Sequence, residues 1–191
     1  MKPGLVLLLM LWASPFAVVA ADKAVFTVSS EPVDKPWWRR AQWQPRATSV
    51  QNVPIKRLHP DWCAAEALGR ERLDEAVGPA LVDQALDGRS FTLEGSFDGS
   101  GAPQLAFVGA YRRCSGEMGL FVTIIEPLRD RARMRFLVEV PDPGSALAML
   151  SREPDGTLAV WWCADCANSN RIAFNRDKRE FYVAGPATRR Q

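Results

Sequence analysis

Trp161-Trp162-Cys163-Ala164-Asp165-Cys166 places two cysteines three positions apart, directly behind a pair of tryptophans. Two further cysteines, Cys63 and Cys114, stand far upstream. Sulfur in this pattern can exchange disulfides, hold zinc or cross-link the chain permanently. Exchange needs a stabilised thiolate, and Asp165 between the cysteines disfavours one by like-charge repulsion. Zinc needs four ligands, which structural sites usually supply as two close pairs. Cys63 and Cys114 are 51 positions apart and make no such pair. Covalent haem attachment needs a histidine after the second cysteine, and position 167 is alanine.

The N-terminus selects among these uses. Met1-Lys2 opens a nearly unbroken apolar run from Gly4 to Ala20, closing on small residues at Val18-Val19-Ala20-Ala21 before Asp22-Lys23. That is the pattern of a secretory signal peptide, residues 1–21, and it predicts a periplasmic or secreted protein. Pro3 and Pro15 interrupt the run, so no stable membrane insertion is expected after cleavage. Four cysteines in an exported chain read as two disulfides. The favoured pairing is Cys63–Cys114 with Cys163–Cys166, and crossed pairings stay open. The first would join a helical region to a sheet across a long loop, a stabilisation of about 3 to 5 kcal/mol on chain-entropy grounds.

Thr157 to Trp162 reads as a strand running into Trp-Cys-x-x-Cys, which is similar to the active-site approach of the thioredoxin family. The likeness covers six residues. In that family the pair opens a helix early in the domain, whereas here 25 residues follow Cys166. A periplasmic thiol–disulfide redox protein using Cys163 and Cys166 is the competing expectation.

Phe97-Asp98-Gly99-Ser100-Gly101-Ala102-Pro103-Gln104 lies between two β-favouring runs. Residues 91–108 resemble a degenerate FG-GAP or VCBS-type strand–loop–strand unit, in which alternate carboxylates bind calcium. The resemblance implies oxygen ligands at successive loop positions, because a hard cation needs several of them from one tight turn. Only Asp98 keeps the acid; Ser100 and Gln104 replace two others. Asp98 is therefore a weak metal candidate, and no metal or cofactor is expected.

Trp37, Trp38, Arg39, Arg40 and Trp43 interleave aromatic and cationic side chains within a proline-rich stretch. Such residues suit packing across a sheet, or contact with a protein partner or a cell-wall sugar. Catalytic constellations are sparse. His59 is the lone histidine, placed before Pro60 as a turn residue. No nucleophile elbow, phosphate-binding glycine loop or His-Glu-x-x-His is present. Glu94 and Asp98 are near neighbours that could act as paired carboxylates, but such a pair arises easily by chance among 22 acids.

The elements that must position these residues follow from periodicity. Residues 22–58 form a Pro/Trp/Arg-rich segment whose prolines are too closely spaced for a long regular element. Trp62, Ala65 and Leu68, then Leu73, Ala76, Val77, Ala80 and Leu81, fall at helical spacing, which predicts helix over 59–88 with a break at Gly78-Pro79. From 90 to 184 the period shortens. Phe91–Glu94, Gln104–Tyr111, Leu120–Ile125 and Arg133–Val140 read as strands, and turn signals at Pro154-Asp155-Gly156 and Asn175-Arg176-Asp177-Lys178 mark two hairpins. Met134, Phe136, Val138 and Val140 alternate with mostly charged residues, predicting a sheet with one wet face. The expected fold is α+β: one domain over 59–191, with an N-terminal helical region packed on an antiparallel meander of six to eight short strands.

Balanced charge, 24 basic against 22 acidic residues, excludes bulk electrostatic attachment to nucleic acid. The sequence predicts an exported, disulfide-stabilised, non-catalytic binding protein of inhibitor, immunity or envelope-accessory type, whose partner is another envelope or secreted protein. Cell-wall carbohydrate binding through the tryptophan-rich segment is a second alternative.

Overall fold

A computed structural model describes residues 43–129, 131–141, 146–164, 166 and 168–188 of the chain. The predicted signal peptide, the strand expected at Val25–Val28, and Trp37, Trp38, Arg39 and Arg40 lie outside the described residues. Among the described residues the architecture is mostly β, with 50% strand against 15% helix. This corrects the α+β expectation: among the described residues no N-terminal helical region packs on a meander, and the strands form three sheets.

A small hairpin of β1 (Ser49–Val50) and β2 (Val53–Pro54) leads into a single helical turn, α1 (Ile55–Leu58). Strand β3 (Trp62–Ala67) follows, then helices α2 (Arg70–Val77) and α3 (Pro79–Leu86). The first large sheet joins β3, β4 (Thr92–Gly95), β5 (Gln104–Arg113), β6 (Met118–Pro127) and β7 (Ala132–Pro141). All its pairings are antiparallel, with β3 and β4 sharing successive stretches of β5. The second sheet, in the order β11-β10-β9-β8, contains β8 (Met149–Arg152), β9 (Leu158–Trp161), β10 (Asn168–Asn175) and β11 (Glu180–Thr188). Reciprocal backbone hydrogen bonds between Ser90 and Leu150, 2.8 and 2.7 Å, tie the lead into β4 to β8.

Strand alternation splits the first sheet into two buried faces. Ala106, Val108, Val122, Ile124 and Val138 share a core with Leu150, Leu158, Val160 and Ile172 of the second sheet, and Leu73 and Val82 add the helices to it. Phe107, Tyr111, Phe121 and Ile125 face the other way, against Val50, Val53, Ile55 and Leu58. The wet face expected of this sheet is therefore covered by the segment just before β3. Fully buried Thr123 on that face donates to the Phe136 carbonyl at 2.7 Å, so its hydroxyl is satisfied.

The misreading at 59–68 has a physical cause. Trp62 pairs with Arg113 and Ala64 with Arg112, so Cys63 is an extra residue in β3. A bulge of this kind resets the two-residue alternation. Trp62 and Ala65, three apart, then share one face and imitate helical spacing. Alanine-rich sequence does not resist, because a ladder with β5 and complete burial of Trp62 outweigh local propensity. The helical expectation holds for 70–86, where Gly78 at φ 91° ends α2 and Pro79 opens α3. Arg70 joins the two helices, donating to Asp74 at 3.0 Å and Asp83 at 2.6 Å.

Candidate functional site

The four cysteines lie in two bonded pairs. Cys63, the bulged residue, meets Cys114 just beyond β5, with Cα atoms 4.9 Å apart. This bond joins adjacent strands of one sheet, in place of the helix-to-sheet link expected. Cys163 and Cys166 close the turn between β9 and β10, Cα atoms 5.3 Å apart. Arg89 reaches that turn, donating to the Ala164 carbonyl at 2.7 Å while lying 4.3 Å from the Trp161 ring centroid. Trp161 donates to Ser151 and Trp162 to Asn170, so both indole N–H groups of the opening motif are satisfied at the edge of the core.

A groove of about 910 Å³ opens where the β4–β5 loop, the start of β7 and the β10–β11 turn come together. Its wall begins with Asp98. Gly99 and Gly101, at φ 70° and 80°, fold the loop back on itself, a conformation other residues adopt at a cost. Ser100 N–H donates to Asp98 Oδ1 at 3.0 Å, and Gly101 N–H donates to Ser96 Oγ at 2.8 Å. The carboxylate is thus aimed inward, its side chain only 4% exposed. Burial pushes its pKa up, but hydrogen bonds from Ser100 and the Arg135 charge outweigh that and hold it below the ordinary aspartate value.

Arg135 answers it because of a second bulge. Ile124 pairs with Phe136 and Ile125 with Met134, leaving Arg135 as the extra residue of β7. Arg135 donates to Asp98 at 3.2 Å and to Glu126 at 2.6 Å; Arg133 donates to the same Glu126 oxygen at 2.5 Å. Arg133 first, then Arg135, hold the Glu126 carboxyl below its usual range. The same bulge turns Met134 outward, 40% exposed, although its alternation predicted core. Opposite stand Phe174, at the end of β10, and Arg176 and Arg179 in the turn. Neither Arg176 nor Arg179 makes an ion pair with any described carboxylate.

The remaining sequence candidates fall elsewhere. Trp43 is half-buried against the main core, with Arg72 5.6 Å from its ring centroid and Arg72 paired to Glu66 at 2.8 Å. Glu94 lines a different pocket, with Gly95, Pro103 and Leu105, so it does not share the Asp98 groove. Asp98 is committed to Arg135, and among the described residues no three His, Cys, Asp or Glu side chains converge to hold a metal ion. No helix of the described residues is long and apolar enough to cross a membrane.

One cluster had no signal in the sequence. Buried His59 stacks near Trp62, ring centroids 5.6 Å apart, and its Nε2 lies 3.7 Å from Glu139. Glu139 also accepts from Trp62 Nε1 at 2.7 Å and from Arg113 at 3.1 Å through both oxygens. The Asp61 N–H donates to His59 Nδ1 at 3.2 Å. These groups come from the residue after α1 and from β3, β5 and β7, and the register of the sheet assembles them.

No known family, curated protein or solved structure matches the chain.

Proposed function

We propose that the chain is an exported, non-catalytic binding protein braced by two disulfides, acting as an inhibitor, immunity-type or envelope-accessory factor. The observation that carries this reading is the groove beside Asp98: an open, charged surface on a pinned frame, with Arg176 and Arg179 left over after Arg133 and Arg135 are matched to acids. Such a surface recognises a partner, since arginine is over-represented where binding energy concentrates. The apolar leader and the full pairing of four cysteines support export to an oxidising compartment.

The test is cross-linking in cells that express the full chain, followed by fractionation and mass spectrometry. The expected result is a processed protein without free thiols, linked to one envelope or secreted partner. An exported protein with four titratable thiols, or one joined only through mixed disulfides at Cys163 or Cys166, would replace this reading with the redox one, and retention in the cytosol would remove both.

A further inference from the structure

We propose that the groove between the β4–β5 loop and the β10–β11 turn binds an acidic peptide segment in which carboxylates flank an apolar side chain. This rests on the reading of the chain as a binding protein and adds the chemistry of the ligand.

Four guanidiniums line the groove against two carboxylates, so two positive charges face solvent uncompensated. Those belong to Arg176 and Arg179, carried by a turn whose shape is fixed: Asn175 Oδ1 accepts from Lys178 N–H at 3.0 Å, and Arg179 is held at φ 57°. The guanidinium fork suits a carboxylate because it offers two parallel N–H donors to two oxygens. Exposed Met134 of β7 and the half-buried ring of Phe174 at the end of β10 line the same groove, apolar surface that asks for an apolar partner. Asp98 and Glu126 stand in the same groove. A chain with a negative charge at every unit would bring phosphates against them, whereas a peptide can set its acids opposite the turn and its apolar side chain opposite Met134. The two carboxylates in the groove and its apolar floor together favour peptide over polyanion.

The experiment is fluorescence anisotropy with the full mature chain and a labelled Gly-Glu-Leu-Glu-Gly peptide. Its comparators are the same peptide with Lys for Glu, the same peptide with Gly for Leu, and heparin and inorganic phosphate as competitors. The glutamate peptide is expected to bind, the lysine peptide not to, and the glycine peptide to bind several-fold more weakly. Arg176→Glu with Arg179→Asn should weaken binding at least about tenfold, because asparagine keeps the left-handed backbone while the charge is lost. Arg46→Ser, remote from the groove, should bind as the parent does. Should the double variant melt early, Arg179→Asn alone, expected to lose several-fold, decides the matter. Equal binding of glutamate and lysine peptides, unchanged affinity in both variants, or displacement by phosphate or heparin with no contribution from leucine would overturn the proposal. A cross-linked cellular partner retained equally by parent and double variant would sink the groove assignment while leaving the binding-protein reading intact. Absence of any partner would remove that reading itself.

Discussion

Arg135 Nη2 lies 3.2 Å from Asp98 Oδ2, bridging the first sheet to the loop between β4 and β5, with both side chains largely out of water. Two local features of the fold make this pair: a glycine-rich loop that turns a carboxylate inward, and a bulge that gives β7 one residue more than its partner.

Arg135→Met is therefore expected to destabilise the fold by about 3 kcal/mol, because a buried carboxylate loses its cation. Glu126 keeps Arg133, so the loss should centre on Asp98. Adding Asp98→Asn to Arg135→Met should recover part of the deficit, since the amide needs no counter-charge. Urea unfolding of the two single variants and the double variant measures the coupling. Additive losses would show that the two groups do not act as a pair.

Glu139→Ala should cost about 3 kcal/mol, because the Arg113 guanidinium loses its partly buried partner and the Trp62 N–H its acceptor. Glu139→Gln should cost less, since the side-chain carbonyl still accepts from Trp62 Nε1, which now bonds Glu139 at 2.7 Å. Denaturant unfolding of the two variants measures both losses. Equal effects of the two substitutions would mean that charge, and not the indole hydrogen bond, is what Glu139 contributes.

The strands from 92 to 140 were legible because each carries its own pattern, and in the second sheet Pro154-Asp155-Gly156 and Asn175-Arg176-Asp177-Lys178 both fall in hairpin turns. Gly78-Pro79 likewise marks a helix junction in sequence and in structure. What escaped is what depends on partners. Cys63 and Arg135 are bulge residues, and a bulge is defined by the neighbouring strand's register, which no local window contains. The segment 47–58 reads as irregular, yet its Val50, Val53, Ile55 and Leu58 cover a whole sheet face. The arginine groove combines residues 98 to 179, and the His59–Glu139 contact spans the length of the first sheet's topology.

Acid should unfold the protein through its matched carboxylates. Asp155 is pushed down to about 2 by the Thr157 hydroxyl and amide, with the Arg171 charge beside it. Asp98 and Glu126 are depressed as well. A carboxyl depressed in the folded state contributes stability in full above its unfolded value, about 4, and loses it as pH falls through the folded value. Denaturant unfolding at stepped pH should thus show stability flat near neutrality and falling between about pH 4 and pH 2. Asp155→Asn should flatten part of that fall, since the amide oxygen still accepts from Thr157 but does not titrate. An unchanged slope would mean that this aspartate is not depressed.

The two disulfides should differ in weight. Cys63–Cys114 closes a loop with sequence separation 51, and Cys163–Cys166 one with separation 3. Restricting the unfolded chain stabilises more for the longer loop, so Cys63→Ala with Cys114→Ala should lose about 4 kcal/mol and Cys163→Ala with Cys166→Ala about 2 kcal/mol. The short pair has an additional support in place: Arg89 holds the Ala164 carbonyl, and Trp162 is anchored to Asn170. The long pair fixes an exposed bulge on β3, where Trp62 and Ala65 depend on staying in register with β5. Guanidinium unfolding of the two double variants separates the cases. A larger loss from the Cys163–Cys166 variant would mean that this turn nucleates the second sheet, and that its cysteines do more than close a loop.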